Sequence, residues 1–486
     1  MTAEGRSKEA PGGTIRILFC TPEVSPFSGT GGLGEVSGSL PAALNGLAYN
    51  KIECRVISPL YGNISDEYRK DMKFLGCKDI PVSWRMKYMG VFSLKRGSVI
   101  YYFIDNEEYF KRDGLYGYYD DCERFAFFSR AVFESIEFTG FIPDIMHAND
   151  WQTALVPVYQ DAIYHRQFMS TIFTIHNIEY QGYYGTEVIS DVIGLPAGAE
   201  HLLEFNGGAN LIKGGIDTAN VVTTVSPTYA DELSYPFFAY GLDGIINRAK
   251  HKMTGILNGI DTKIYDPAHD RYTAAPYSAR STAGKKTCKE AMIADAGLPD
   301  SGTPLVAVIS RLVAAKGIDL IRGTMDGLLG GRDFQLIILG TGDYEYEDYF
   351  RYLESKYPDR VRAYITFNSS LSHKLYSASD IFLMPSKTEP CGLSQMIAMR
   401  YGTVPVVRAT GGLRDSVLDC TLGDGTGFVF ENYDMASFAD AMLRALALYN
   451  DKSSWNALVK HDLKQDFSWK KSALEYVKLY ERTAQK

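Results

Sequence analysis

What most constrains this chain is an alternation, run through twice. Short apolar, β-branched runs of strand length are separated by stretches with helical periodicity. TIRILFC places Ile15, Ile17, Leu18 and Phe19 in one nearly continuous apolar run. Such a run belongs to a parallel strand buried on both faces rather than to a half-exposed one. IECRVISPL, SVIYYFID, IPDIMHAND, STIFTIHN and VVTTVSP repeat the theme, with helical patterns such as RFAFFSRAVFESIE between them. A second series begins near residue 255 with LVAVISRL, FQLIILG, RVRAYITF, DIFLMPS and VPVVRA, interleaved with GIDLIRGTMDGLL, LSQMIAMRYG and SFADAMLRALALY. Parallel strands need crossover helices, so the pattern predicts two doubly wound, Rossmann-like α/β domains. A length of 486 residues, too great for one core, agrees. The expected partition is a disordered leader over 1–13, an N-terminal domain over 14–252 and a C-terminal domain over 253–465. A closing helical segment over 466–486 packs back on the first domain, and the hinge lies around 251–261. Leu33, Val36, Leu40, Leu44 and Leu47 recur at helical spacing, and Pro41 inside that pattern predicts a kink or a short break.

Composition enters by exclusion. A net charge of -8 without a basic patch argues against a nucleic-acid partner. Seven cysteines without a C-x-x-C pair fit reduced thiols in a cytoplasmic compartment and offer no zinc spacing, so no metal is expected; no cofactor is expected either. No apolar stretch approaches the roughly 20 residues that span a bilayer, and MTAEGRSKEAPGG lacks the apolar core of a signal peptide, so no membrane partner is expected.

GTGGLGE puts Gly29, Gly31 and Gly34 in the G-x-G-x-x-G pattern of dinucleotide-binding loops. That pattern wants its first glycine at the strand end. Here the strand ends near Cys20, nine residues before Gly29, with Pro22 and Pro26 in between. The more informative fact is that TGGL occurs twice, as Thr30–Leu33 and Thr410–Leu413, once in each domain, each time opening a helical pattern after a strand and a loop. A glycine-led helix start offers bare N–H groups and a favourable dipole to an anion. Two of them can hold a phosphate-bearing molecule from two sides.

SRLVAAKG (Ser310–Gly317), SKTEPCGLSQ (Ser386–Gln395), TGGLRD (Thr410–Asp415), HANDWQT (His147–Thr153), FTIHNIEYQG (Phe173–Gly182), GILNGID (Gly255–Asp261) and DFSW (Asp466–Trp469) resemble, in the same order, the signatures of the bacterial glycogen and starch synthases. The resemblance covers nearly the whole chain from about residue 14. It implies the GT-B glycosyltransferase fold, with two domains facing each other across a deep cleft. The implied activity is a retaining transfer of glucose from ADP-glucose to the non-reducing 4-OH of an α-1,4-glucan such as glycogen or starch. UDP-glucose as donor, and a catalytically weakened glucan-binding protein, are the alternatives.

The resemblance also implies roles. Arg311 and Lys316 clamp the donor diphosphate, while Gly31 and Gly32 on one side and Leu393, Ser394, Thr410 and Gly411 on the other supply donor contacts. Glu389 accepts hydrogen bonds from the donor glucose, with Cys391 and Gly392 beside it. Cys391 is read as a packing residue rather than a nucleophile. His176 contacts the donor sugar, and its carbonyl lies near the anomeric carbon. Asn258 binds glucose, and Phe367 stands where an aromatic ring stacks on adenine. Asp150 and Glu35 lie on the acceptor side, although Asp150 is placed equally well to cap a helix. One position departs from the pattern: the family's first loop reads K-x-G-G-L, and here Gly29 occupies the lysine position. Removing a charged partner from a transition state costs on the order of 2–4 kcal/mol. The aspartate two residues after the leucine is Glu35 instead.

Overall fold

The computed structural model describes residues 13–47 and 52–484, so the expected leader lies, apart from Gly13, outside the described residues. The described chain divides into two compact units. The first runs to Val225, resumes over Ala230–Ile256 and takes in the last helix, Trp469–Ala484; the second holds Ser226–Tyr229 and Leu257–Ser468.

The first unit is built on strands β1 (Ile15–Cys20), β2 (Ile52–Pro59), β3 (Lys73–Val82), β4 (Arg85–Arg96), β5 (Val99–Asp105), β6 (Ile145–Asn149) and β7 (Ser170–Ile175). A small separate sheet follows from β8 (Tyr183–Tyr184), β9 (Glu204–Phe205) and β10 (Gly208–Asn210), and then β11 (Val221–Thr224) and β12 (Met253–Gly255) complete the main sheet. Its order is β12-β11-β7-β6-β1-β2-β5-β4-β3. All neighbours pair in parallel except β5 with β4 and β4 with β3. The antiparallel pair β3–β4 is not among the expected strands, because it alternates polar and apolar residues, unlike the buried runs around it. The division between the units lies at 256/257, inside the 251–261 segment read as the hinge and four residues beyond 252/253: β12 pairs with β11, Val222 opposite Met253, and so extends the first sheet. The helix Gly32–Asn45 continues through a buried Pro41, so of the kink and the short break expected there the break does not occur.

The second unit carries β13 (Leu305–Ile309), β14 (Gln335–Leu339), β15 (Val361–Tyr364), β16 (Ile381–Met384), β17 (Val404–Arg408) and β18 (Phe428–Phe430) in the order β15-β14-β13-β16-β17-β18, parallel throughout. In both sheets the winding direction reverses once, between β1 and β6 in the first and between β13 and β16 in the second. Ligands of open α/β sheets bind outside the carboxyl ends of the strands at such a reversal. The four loops that leave β1, β6, β13 and β16 are therefore where each unit offers its chemistry.

The helix Trp469–Ala484 belongs to the first unit and packs on the helix Gly32–Asn45 and on β1 and β6. It buries Ala473, Tyr476, Leu479 and Tyr480. Its anchor is polar: the Tyr480 hydroxyl lies 2.8 Å from His147 Nδ1, while His147 Nε2 meets Thr174 Oγ1 at 2.6 Å. Burial pushes the His147 ring down to about 3, so it is neutral at ordinary pH. Tyr480→Phe leaves a buried ring nitrogen without its partner. An unsatisfied buried group costs about 1–3 kcal/mol, so the urea midpoint should fall by that equivalent; an unchanged midpoint would show that the helix is held by its apolar face alone.

Candidate active site

In the second unit the β13 and β16 loops meet. The loop after β13 carries Arg311 and Lys316, and the loop after β16 carries Ser386 and Glu389. Lys316 Nζ sits 2.6 Å from Glu389 Oε2, and the Ser386 hydroxyl donates to the same oxygen at 3.0 Å. Glu389 and Ser386 are buried, whereas Lys316 is half-buried and Arg311 exposed. The two loops also touch through main chain, Lys387 N donating to Ala315 O at 2.9 Å. Gly317 has φ +73, and a Cβ there would lie 2.0 Å from Pro385 O.

Two further glycine stretches hold this geometry. A Cβ on Gly411 (φ +44) would fall 2.0 Å from Glu389 O, and one on Gly412 would fall 2.0 Å from Cys391 O; Gly412 N donates to Glu389 O at 3.1 Å. Thr410 and Gly411 are thus buried behind the glutamate. Gly340 and Gly342, which no sequence motif singles out, do the same for the arginine loop. A Cβ on either would overlap Ser310 O or Leu312 O, at 1.9 and 2.2 Å. Leu312 N donates to Thr341 O and Asp343 N to Leu312 O, at 2.9 and 2.8 Å.

Beyond Glu389, Gly392 takes φ +71 to start the helix Ser394–Arg400, with Leu393 and Ser394 half-buried at its head. Gln395 Nε2 locks this turn, donating to Gly392 O at 2.9 Å and to Ser416 Oγ at 2.9 Å. Cys391 is buried and its thiol is pushed up to about 12, chiefly by burial, which leaves it inert as a nucleophile. Its hydrogen-bonding neighbour is Asn258, which is buried and whose Oδ1 has no protein partner. Phe367 differs from this cluster in exposure, being 91% accessible as a residue.

In the first unit the β1 and β6 loops carry the remaining residues. Glu23, which stands in none of the quoted motifs, is buried beneath the glycine loop. Its Oε2 accepts from Thr30 N and Thr30 Oγ1, both at 2.8 Å, and its Oε1 accepts from Gly34 N at 3.0 Å. Gly31 and Gly32 are left exposed, with open space where a Cβ would stand. Gly29 is exposed as well, and a Cβ there would come within 3.2 Å of Ser25 Oγ. Glu35 lies half-buried in the first turn of the helix Gly32–Asn45.

Asp150 does not cap the turn that follows it, since its side chain makes no capping bond to Trp151–Thr153. It holds φ +57, a costly conformation for a residue with a side chain. Its Oδ1 accepts from His176 N at 2.7 Å and Asn177 N at 3.4 Å. Burial pushes this carboxyl up to about 7, against the pull of those amides. His176, at the end of β7, places Nε2 2.9 Å from Asn149 Oδ1. The amide nitrogen of Asn149 donates to Cys20 O and His147 O, at 3.0 and 3.1 Å. Asn149 Oδ1 is therefore an acceptor, so His176 carries its proton on Nε2 and keeps Nδ1 bare. Burial holds the His176 ring neutral, down to about 3.

One doubly wound unit, parallel throughout, thus carries a lysine–glutamate pair, and the other carries an open glycine loop and a neutral histidine. Residues 16–248 match the starch synthase catalytic domain model, and residues 291–460 match the model of glycosyl transferases group 1. The chain is 44% identical to the glycogen synthase of Bacillus anthracis over 96% of its own length and 99% of that protein. It is 42% identical to that of Anoxybacillus flavithermus over 96% and 98%. The catalytic domain of starch synthase IV from Arabidopsis thaliana, solved bound to ADP and acarbose, superposes with a TM-score of 0.89 at 34% identity, covering 98% of this chain and all of that one. Sucrose-phosphate synthase from Thermosynechococcus elongatus shares the fold, with a TM-score of 0.59 at 18% identity over 96% of this chain and 98% of that one. The chain belongs to the glycogen and starch synthase family.

The two TGGL segments behave differently under substitution. Gly31→Ala should fold with an unchanged melting temperature, because its φ of -176 suits any residue and the space is open. Gly411→Ala should lower the melting temperature or abolish soluble expression; equal behaviour of the two would contradict the packing described. Acid should also destabilise the first unit. His147 and His176 bind protons near pH ~6.5 when unfolded but only near about 3 when folded. Each therefore removes stability as pH falls below ~6.5, at about 1.4 kcal/mol per pH unit. Asp150, raised to about 7, opposes one of them. Asp150→Asn should then roughly double the net loss per unit between pH ~6.5 and ~4, measured by urea unfolding; an unchanged slope would place the Asp150 proton elsewhere.

Proposed function

We propose that this protein is a retaining glucosyltransferase that extends an α-1,4-glucan by transferring glucose from ADP-glucose to the non-reducing 4-OH. The observation that carries this reading is the Lys316–Glu389 pair at the reversal of the second sheet, with exposed Arg311 on the same loop as Lys316. A sugar nucleotide needs cations for its diphosphate and an acceptor for its sugar hydroxyls, and this loop pair presents both.

In this reading Arg311 and Lys316 neutralise the departing diphosphate, the fork geometry of arginine matching phosphate oxygens. The amides of Leu393 and Ser394, and the bare amides of Gly31 and Gly32, add N–H donors. Glu389 orients the glucose, and Asn258, with its unsatisfied Oδ1, lies next to it at Cys391. His176 offers its Nδ1 lone pair and its carbonyl to the sugar ring, where positive charge builds as the glycosidic bond to phosphate breaks. The acceptor oxygen attacks the face the diphosphate leaves, and the proton from its 4-OH passes to the departing phosphate. Asp150 holds the amides of His176 and Asn177, and the Asn177 amide shares its peptide plane with the His176 carbonyl, so this carboxylate sets the carbonyl direction. Phe367, so exposed, is free to stack on a base. A cytoplasmic location goes with this reading, supported by the free cysteines and the likeness to bacterial glycogen synthases.

The test is nucleotide release with maltohexaose or glycogen as acceptor, ADP-glucose and UDP-glucose being supplied in parallel. Acceptor-dependent ADP release is expected, falling by roughly 100- to 1000-fold in Arg311→Ala and in Glu389→Ala. Faster UDP release would move the donor assignment, and no release with glucan still bound would make Gly29 the mark of a binding protein.

A further inference from the structure

Glu389 meets its surroundings asymmetrically. Both donors within reach, the Lys316 ammonium at 2.6 Å and the Ser386 hydroxyl at 3.0 Å, fall on Oε2. Among the described residues Oε1 has no hydrogen-bond donor. A carboxylate free to rotate would share two donors between its oxygens. The torsion that turns the carboxylate is restrained by these two donors, while the rest of the residue is held from behind. The backbone of Glu389 is pinned by Gly411 and Gly412, and its carboxyl sits in a buried position.

The two donors are not equivalent. Lys316 is half-buried on a long flexible stem and lies next to the place where a diphosphate would draw it. Ser386 is fully buried, three residues from Glu389 on the same loop, and its Oγ is carried on a single rotatable bond. When an anion attracts Lys316, the serine is the donor that stays.

We infer that Ser386 is a positioning residue: its hydroxyl fixes Oε2 of Glu389 so that Oε1 alone is offered to the donor sugar while Lys316 turns to the diphosphate. This rests on the reading of Glu389 as the sugar ligand. Glu389 then recognises its sugar through one oxygen rather than through a two-pronged grip. A swivelling carboxylate would still bind the sugar, but in orientations that do not lead to transfer. The effect of losing the serine should therefore fall on turnover.

The experiment compares Ser386→Ala and Ser386→Cys with the full-length wild type, measuring kcat and KM for ADP-glucose, the Kd for ADP by calorimetry, and the melting temperature. Cysteine nearly keeps the volume of serine but is a weak donor, which separates packing from hydrogen bonding. Removing a hydrogen bond to a charged group lowers the rate by roughly 10- to 150-fold. Both variants should lose kcat in that range, with KM and the ADP Kd within about twofold of wild type. If Ser386→Cys keeps wild-type kcat while Ser386→Ala loses it, the residue only fills space and the inference fails. It fails too if both keep wild-type kcat, or if the loss appears in the ADP Kd or the melting temperature instead. Glu389→Gln, assayed alongside, tests the underlying reading separately: near-wild-type turnover there would remove Glu389 from the sugar site whatever the serine variants do.

Discussion

Main chain pressed against main chain is the interaction on which the second unit's site depends. The carbonyls of Pro385, Glu389 and Cys391 come so close to Gly317, Gly411 and Gly412 that no side chain fits between. A hydrogen in place of a Cβ is what lets three loops leaving three different strands converge on one carboxylate. The lysine and serine then act on the carboxylate of a glutamate whose main chain is already fixed. The first unit reaches a comparable rigidity by opposite means. Its TGG segment is not compressed but suspended, with the Glu23 carboxylate holding the amides at either end and leaving the middle ones bare. The same four letters thus serve once as a wedge and once as an open donor surface.

That difference marks the limit of what the sequence could reveal. The doubly wound units were legible because buried parallel strands announce themselves as apolar runs. Strands β3 and β4 were not, because their alternating pattern speaks of a half-exposed antiparallel pair, and β18 was too short to register. Glu389, Lys316 and Arg311 stood out because they lie within compact motifs. Glu23, Gly340 and Gly342 did not, since their importance lies in what they touch across distant segments, and spacing carries no trace of that. Asp150 shows the same limit from the other side. An aspartate ahead of a helical run reads as a cap, yet its backbone turns the carboxylate toward the amides of the neighbouring strand's end.

Strand β6 ties two regions that look unrelated in sequence. His147 and Asn149 are two positions apart, so they project from the same side of the strand. One receives Tyr480 from the last helix; the other receives His176 from the site. The Asn149 amide closes the link by donating to the His147 carbonyl. Both imidazoles are kept neutral by burial, so this stretch carries hydrogen bonds without carrying charge. A fixed tautomer at His176 follows from an asparagine whose own orientation is set on the neighbouring strand, at Cys20.

The membership of the helix Trp469–Ala484 in the first unit has a consequence for how the protein is made. A ribosome delivers the first sheet early and the whole second unit after it, but the segment that covers β1, β6 and the helix Gly32–Asn45 arrives last. Throughout synthesis of the intervening residues the nascent first unit therefore presents an uncovered apolar face, with His147 lacking its tyrosine. Domains generally fold as they emerge; here the second can finish before the first. A cut anywhere between the second unit and the helix Trp469–Ala484 would leave the earlier-made half incomplete.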